Sequence, residues 1–310
     1  MKHAKKKDNF FHRLYLSYIP NGRDNIKQII IKVFFLISLI AFIVSAAYLT
    51  NYFMSARHQD GIIDEARSVW HETEAKTEDT LPEPSVIEQL LQENSDFKGW
   101  ITVPNTKIDN PIYQTDNNEF YLTHNQKKQK SVYGALFFNS KNVITETETD
   151  KNLVIYGHHM KNGSMFANLI KYKELSFYKE NPTVEFSTLY KKSTYKVYAA
   201  FVLNASKADD NGYIYNISRK SFIDDEDFDS WVNEARQRSL IDTGVDVKNG
   251  DNIITLVTCT YDFDNARFVV MARETREDED VSVDTSKAFA NPSPRYPKRW
   301  YDDRGIAYPF

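Results

Sequence analysis

The chain has 310 residues, 41% of them hydrophobic, and its 39 basic and 43 acidic side chains give a net charge of -4. This length and composition are sufficient for one sizeable core, while the small negative charge argues against binding to nucleic acid or another polyanion. The single cysteine, Cys259, excludes an intrachain disulfide bond.

The N-terminal part of the chain predicts a membrane anchor. An uncharged apolar run extends from Val33 to Leu49, and residues 29–54 reach the length of about 20 residues that spans a bilayer if Lys32 snorkels to the headgroups. Residues 1–28 are rich in Lys and Arg, which predicts that they stay in the cytoplasm. The alternative is a cleaved signal peptide, with a small-residue site at Ser45–Ala47. Either interpretation places the rest of the chain outside the cell.

Composition divides the exported part into three segments. Residues 55–84 are polar and acidic, which predicts a stalk. A capping-box pattern over Ser85–Glu88 predicts a helix that opens a folded domain at residues 85–276. The proline-rich residues 277–310 predict a disordered or extended tail.

The domain is predicted to be mainly β. Short runs of β-branched and aromatic residues alternate with Asn, Asp, Gly, Lys and Pro clusters, a spacing typical of a closed β-barrel. An insertion at residues 204–250 should contain a surface helix, and the acidic cluster Asp224–Asp229 is interpreted as its N-terminal charge, since its spacing fits no calcium loop. No metal or cofactor is predicted. The eight runs are WITV, NPIYQ, YGALFF, NLVIYG, TVEFSTLY, STYKVYAAFVL, NIITLVTC and ARFVVMA.

Cys259 ends the apolar run Ile253–Thr258, and a thiol at a strand end next to a loop is accessible. A nucleophilic cysteine needs a base or a cation nearby to form the thiolate. The alternative is a buried, inert cysteine.

Three histidines are candidate partners, because the other four of the seven fall in the predicted cytoplasmic segment or the stalk. His158 and His159 follow the strand Leu153–Tyr156 and again lie at a strand end, whereas His124 has no flanking pattern. Strand periodicity does not choose between His158 and His159.

Arg267 opens the run after Cys259. If the two runs pair antiparallel, the two side chains can lie opposite each other, with Cβ atoms about 5 Å apart. The guanidinium could then donate to an oxyanion formed when the thiolate attacks an acyl group. The alternative is a salt bridge at the barrel rim to Asp262 or Asp264.

TLVTC at 255–259, YGHH at 156–159 and Arg267 together resemble the sortases, over about residues 85–276. The segment TYDFDNARFVV, the helix before the barrel and the helical insertion are similar to class B of that family. The resemblance implies an exported eight-stranded barrel behind a cytoplasmic N-terminus.

The resemblance also implies a reaction. Cys259 would attack a threonyl carbonyl in the sorting motif of a surface protein and hold a thioacyl intermediate, which an amine of the cell-wall cross-bridge resolves. His158, directly after glycine, would be the general acid and base, and Arg267 would hold the substrate carbonyl. The family needs no third carboxylate, so Asp262 is a weaker candidate for orienting His158.

Residues beside the nucleophile are the candidate substrate-binding positions, namely Thr258, Val257 and Tyr261. Many class B members carry serine where this chain has Val257, which removes a side-chain hydrogen bond to substrate. The other readings are a pilin-polymerising sortase with a lysine acceptor, hydrolysis of the thioacyl enzyme, and a membrane-tethered scaffold in which Cys259 is inert. A papain-like protease is disfavoured, because that family places Cys before His.

Overall fold

The computed structural model describes residues 10–72, 81–207, 210 and 212–310. The chain divides into two compact units, Met1–Asp60 and Gly61–Phe310. The helices are α1 (Phe10–Tyr18), α2 (Ile26–His71), α3 (Pro84–Glu93), α4 (Phe120–Thr123), α5 (Leu175–Glu180), α6 (Asp225–Arg238) and α7 (Lys298–Asp302).

The first unit contains the predicted anchor. Within the described residues, α2 is the one helix long and apolar enough to cross a membrane, and its apolar side chains are exposed, for example Phe42 at 70%. Its length and composition suit a membrane anchor and a signal segment equally. The ammonium of Lys32 donates to Asp24 (2.7 Å) and to the carbonyl of Leu16 (2.5 Å), so α1 and the turn after it partner the charge.

The second unit is a closed barrel in which each of the eight predicted runs forms a strand. The strand order around it is β1-β2-β3-β4-β8-β9-β6-β5, and β7 pairs with β10 in a separate two-stranded sheet. The strands are β1 (Phe97–Thr102), β2 (Asp109–Tyr113), β3 (Leu136–Phe138), β4 (Asn152–Tyr156), β5 (Thr183–Thr188), β6 (Lys192–Asn204), β7 (Ile241–Asp242), β8 (Ile253–Cys259), β9 (Ala266–Glu274) and β10 (Phe289–Ala290).

Both faces of β8 and β9 are buried. Leu256 and Val270 belong to the cluster inside the barrel, whereas Val257 and Val269 belong to a second cluster that includes residues of α6. This arrangement explains why the two runs are apolar throughout instead of alternating.

The predicted helix in the insertion is α6. The side chain of Asp224 caps it by accepting from the peptide N–H of Asp227 (2.9 Å), and its apolar face is buried through Phe228 and Trp231. The acidic cluster is therefore the start of a helix, as predicted. In the described part of the chain, no group of three or more His, Cys, Asp or Glu residues is arranged to hold a metal ion.

The compact unit also includes residues before the predicted start of the domain at residue 85. Helix α3 begins at Pro84, so Ser85 is not the N-cap and no capping box forms. The compact unit begins at Gly61, because the last turns of α2 pack on the barrel and are not a free stalk. Trp70 is 2% exposed and stacks on Trp100, with ring centroids 4.9 Å apart. Residues 73–80 of the predicted stalk lie outside the described residues.

The tail is ordered, contrary to the prediction from its proline content. It includes the 3-10 helix Thr285–Lys287, strand β10 and helix α7. Tyr296 and Trp300 stack with centroids 4.1 Å apart and pack against the barrel cluster. Aromatic residues between the prolines supply the apolar contact that composition alone did not indicate.

The position of Trp70 predicts that the end of α2 stabilises the barrel. Trp70→Ala should lower the free energy of unfolding by about 3–5 kcal/mol, because a buried indole is replaced by a cavity. Thermal and urea unfolding of the full chain in detergent, followed by far-UV circular dichroism, would measure it. Ile223→Ala is the control, since Ile223 is 89% exposed. Equal stability of the two variants would mean that residues 61–71 are a free stalk after all.

Candidate active site

Strands β8 and β9 bring Cys259 and Arg267 together. They pair antiparallel with Cys259 directly opposite Arg267, as the spacing predicted. Both residues are half-buried at the end of the barrel, where β8 gives way to the loop that leads into β9. The nucleophile candidate and the cation candidate thus lie side by side on a hydrogen-bonded ladder.

Strand β4 carries His158 to the same end of the barrel. β4 runs parallel to β8 with Tyr156 opposite Val257, and the N–H of Gly157 continues the ladder to the carbonyl of Val257 (3.1 Å). The hydroxyl of Thr258 donates to the carbonyl of Gly157 (2.8 Å). His158 directly follows Gly157, and Cys259 directly follows Thr258.

Glycine is required at position 157 for steric reasons. A Cβ atom there would lie 2.4 Å from Cδ2 of Leu136 and 2.8 Å from the ring of Phe166. A side chain at this point would therefore force the buried Leu136 and Phe166 to shift. This explains the Gly-His order of the motif.

A backbone carbonyl orients the ring of His158. Its Nε2 lies 2.8 Å from the carbonyl oxygen of Leu122, in α4. Because a carbonyl only accepts, Nε2 carries the proton in this hydrogen bond, and Nδ1 takes no part in it.

Gly134 allows this approach. It has φ +60°, and a Cβ atom there would lie 2.3 Å from the carbonyl of Tyr121 and 3.1 Å from Cδ2 of His158. Sequence reasoning missed both Leu122 and Gly134. The glycine near the start of the YGALFF run was an available signal for Gly134. A contribution from a main-chain carbonyl, as at Leu122, leaves no trace in residue type.

The other two histidines have different surroundings. Nδ1 of His159 donates to the carbonyl of Cys259 (2.9 Å), and its ring lies 5.1 Å from that of Tyr261. The ring of His124 stacks on Phe120 at 4.2 Å, and its Nδ1 bonds the carbonyl of the same residue. His159 thus contacts the backbone of the cysteine, and His124 belongs to the end of α4.

Arg267 has no acidic partner among the described residues. Its Nη1 donates to the neighbouring carbonyl of Ala266 (3.0 Å), and the predicted alternative, a salt bridge to Asp262 or Asp264, is not formed. Its remaining guanidinium donors are thus not committed to a carboxylate.

Asp262 contacts neither Arg267 nor His158. It accepts instead from Lys173 (2.6 Å) and from the hydroxyl of Thr260 (2.5 Å). Burial would raise the pKa of Asp262, but these hydrogen bonds outweigh burial and hold that pKa below its usual value. The weaker prediction, that Asp262 orients His158, is therefore wrong.

The three predicted substrate-binding residues differ in accessibility. Val257 is packed against the α6 side of the barrel and Thr258 is 2% exposed, so these two side chains support strand β8. Tyr261 is 71% exposed beside His159, and it is the one of the three that a ligand can reach.

Comparisons with known proteins agree with this geometry. Residues 101–275 match the family model of the sortase domain. Sortase B of Listeria monocytogenes is 32% identical over 219 residues, which cover 70% of this chain and 85% of that protein. A solved Staphylococcus aureus sortase B–substrate complex has a TM-score of 0.64 at 26% identity, covering 73% of this chain and 100% of that one. A sortase B complexed with triglycine has a TM-score of 0.63 at 25% identity, covering 72% of this chain and 100% of that one.

A matched sortase domain, a similar curated sortase B and superposable sortase B structures all point to one family, and they do so over the strands that carry the Cys, His and Arg. The chain therefore belongs to the sortase family of cysteine transpeptidases, in its class B branch.

Proposed function

We propose that this enzyme cleaves a sorting motif in exported surface proteins at a threonyl bond and transfers the new acyl group to an amine of the cell-wall cross-bridge. Cys259 is the nucleophile, His158 the general acid and base, and Arg267 the oxyanion donor. The observation that supports this assignment best is the direct cross-strand pairing of Cys259 with Arg267.

The first step forms the thioacyl enzyme. His158 takes the thiol proton of Cys259 on Nδ1. The thiolate attacks the threonyl carbonyl, and the negative charge that develops on the carbonyl oxygen is stabilised by the free N–H donors of Arg267. The C–N bond then breaks, and His158 gives its proton to the leaving amine. The C-terminal part of the substrate departs.

The second step reverses these roles. An amine attacks the thioester carbonyl, His158 takes the amine proton, and the C–S bond breaks to release Cys259. Water in place of the amine would give hydrolysis. The hydrogen bond to the carbonyl of Leu122 keeps Nε2 of His158 protonated through both steps, so Nδ1 is the atom that exchanges the proton.

Chemistry and one relative support the proposed acceptor. A sortase B complexed with triglycine shows that this related protein accommodates a short peptide with a primary amine and no side chains. We infer a similarly unhindered glycine-type amine for this chain. A lysine side chain of a pilin is the competing acceptor.

The cellular placement is part of the proposal. The apolar stretch of α2 is the membrane anchor, the basic residues 1–28 stay in the cytoplasm, and the barrel lies outside. The exposed apolar side chains of α2 support the first part, because they would otherwise face water.

Acyl transfer itself is the first prediction from this mechanism. The full chain in detergent, incubated with a library of sorting-motif peptides and triglycine or a lysine peptide, should give a thioacyl adduct and a transfer product by mass spectrometry. Cys259→Ala should give neither. An adduct that persists in Cys259→Ala would remove Cys259 from the mechanism, and the preferred amine would separate cell-wall from pilin acceptors.

The histidines should differ sharply. His158→Ala should lower kcat about 10²–10⁴-fold, the range for loss of a general acid and base. His159→Ala should cost about tenfold or less, because the hydrogen bond of His159 to Cys259 goes to the main-chain carbonyl. Steady-state transfer kinetics with one peptide would compare them. The reverse order of the two effects would assign the acid and base role to His159.

Arg267→Lys tests the oxyanion role, since it keeps the charge but replaces a fork of donors by a single ammonium. We expect kcat to fall about 10²-fold while KM changes little, as for loss of an interaction made in the transition state. The control is Lys151→Arg, which exchanges the same two residue types at an exposed site. Near-wild-type turnover of Arg267→Lys would contradict oxyanion binding by the guanidinium.

A further inference from the structure

The turn that follows Cys259 is held by a lysine from another part of the chain. Lys173 ends the 3-10 helix Ala167–Lys173. Its ammonium donates to Asp262 (2.6 Å) and lies 3.3 Å from the hydroxyl of Thr260. Thr260 in turn donates to the same carboxylate oxygen. The ammonium of Lys173, the hydroxyl of Thr260 and the carboxylate of Asp262 thus contact one another in the turn directly after Cys259.

The same lysine also contacts the strand of Arg267. Its ammonium lies 5.7 Å from the ring centre of Phe268, which directly follows Arg267 and pairs with Thr258. Lys173 therefore contacts the residue after Cys259 and the residue after Arg267 at once.

The 3-10 helix connects this lysine to His158. The N–H of Phe166, just before the helix, donates to the carbonyl of His158 (2.9 Å). Phe166, Leu169 and Tyr172 are fully buried, so the segment is anchored in the barrel core. A packed element of this kind transmits a fixed spacing from the histidine loop to the cysteine turn.

The ion pair is not deeply buried. Lys173 and Asp262 are 26% and 17% exposed as side chains, and pairs of this exposure add little to stability. What distinguishes this pair is its location beside the segments that carry Cys259, His158 and Arg267.

We propose that Lys173 and Asp262 are positioning residues for acyl transfer: their ion pair holds the turn after Cys259 against the helix that follows His158. The inference rests on the proposed function. Neither side chain touches a reacting atom; the pair acts by keeping the thiol, the imidazole and the guanidinium in one geometry. Reaction rates are sensitive to such placement, since an error of about 1 Å can cost about 100-fold.

A second ion pair offers a matched control. Lys220 donates to Asp150 (3.0 Å), with side chains 35% and 13% exposed. Asp150 lies just before β4 and so at the opposite end of that strand from His158. Lys→Met at either site removes one ammonium from one similarly exposed carboxylate, but only Lys173→Met does so beside the catalytic turn.

Lys173→Met in the full chain should lower kcat for acyl transfer about tenfold, with KM within about twofold of wild type. Lys220→Met should leave kcat unchanged, and the two variants should have similar unfolding midpoints. Lys173→Arg, which keeps the charge and the donors, should recover most of the rate. Asp262→Asn should match Lys173→Met, and the double variant should lose no more than either single one.

Equal kcat for Lys173→Met and Lys220→Met would overturn the proposal, as would additive losses in the double variant. If Lys173→Met fails to fold, Asp262→Asn and Lys173→Arg carry the same comparison. An inactive wild-type chain would count against the proposed function itself, whereas an active wild type with no effect at Lys173 would count against the ion pair alone.

Discussion

Strand β8 is hydrogen-bonded on both edges, in parallel to β4 and antiparallel to β9, and the candidate site depends on this double pairing. The pairing with β9 places Arg267 opposite Cys259. The pairing with β4 brings Gly157 and His158, which follow Tyr156, to the same end of the barrel. A slip of one residue on either edge would send every side chain of β8 to the other face. Burial prevents that slip, because Leu256 belongs inside the barrel and Val257 against the α6 side.

The site combines a rigid ladder with a loop that is held by backbone groups. Cys259 and Arg267 lie on strands, which place side chains more precisely than loops do. His158 lies in a loop, and a neutral carbonyl orients its ring where a classical triad would use a carboxylate. The glycines at 134 and 157 make room for this arrangement.

Two segments outside the matched domain contribute to the same barrel. The end of α2 packs through Trp70, and the tail packs through Tyr296 and Trp300. Both segments look polar or proline-rich when averaged over a window. A few large aromatic residues nevertheless bury enough apolar surface to order both segments. The domain bounds drawn from composition, 85 and 276, therefore leave out residues of the compact unit at both ends.

The sequence by itself determined the local features. Runs of β-branched and aromatic residues specified the eight strands. The connection between Cys259 and Arg267 is short, which favours a hairpin in which these two residues lie opposite each other. The Gly-His-His motif marked the end of a strand, and that strand pairs with β8. These features involve neighbours in the chain, so periodicity and spacing report them.

Only the tertiary structure decided which groups surround each of these side chains. The carbonyl of Leu122 meets His158 across 36 positions of the chain, and Lys173 meets Asp262 across 89. The burial of Val257 depends on a helix from a separate insertion. Contacts of this kind arise from barrel closure, which brings together residues that no local pattern relates, and main-chain groups in particular carry no signature in residue type.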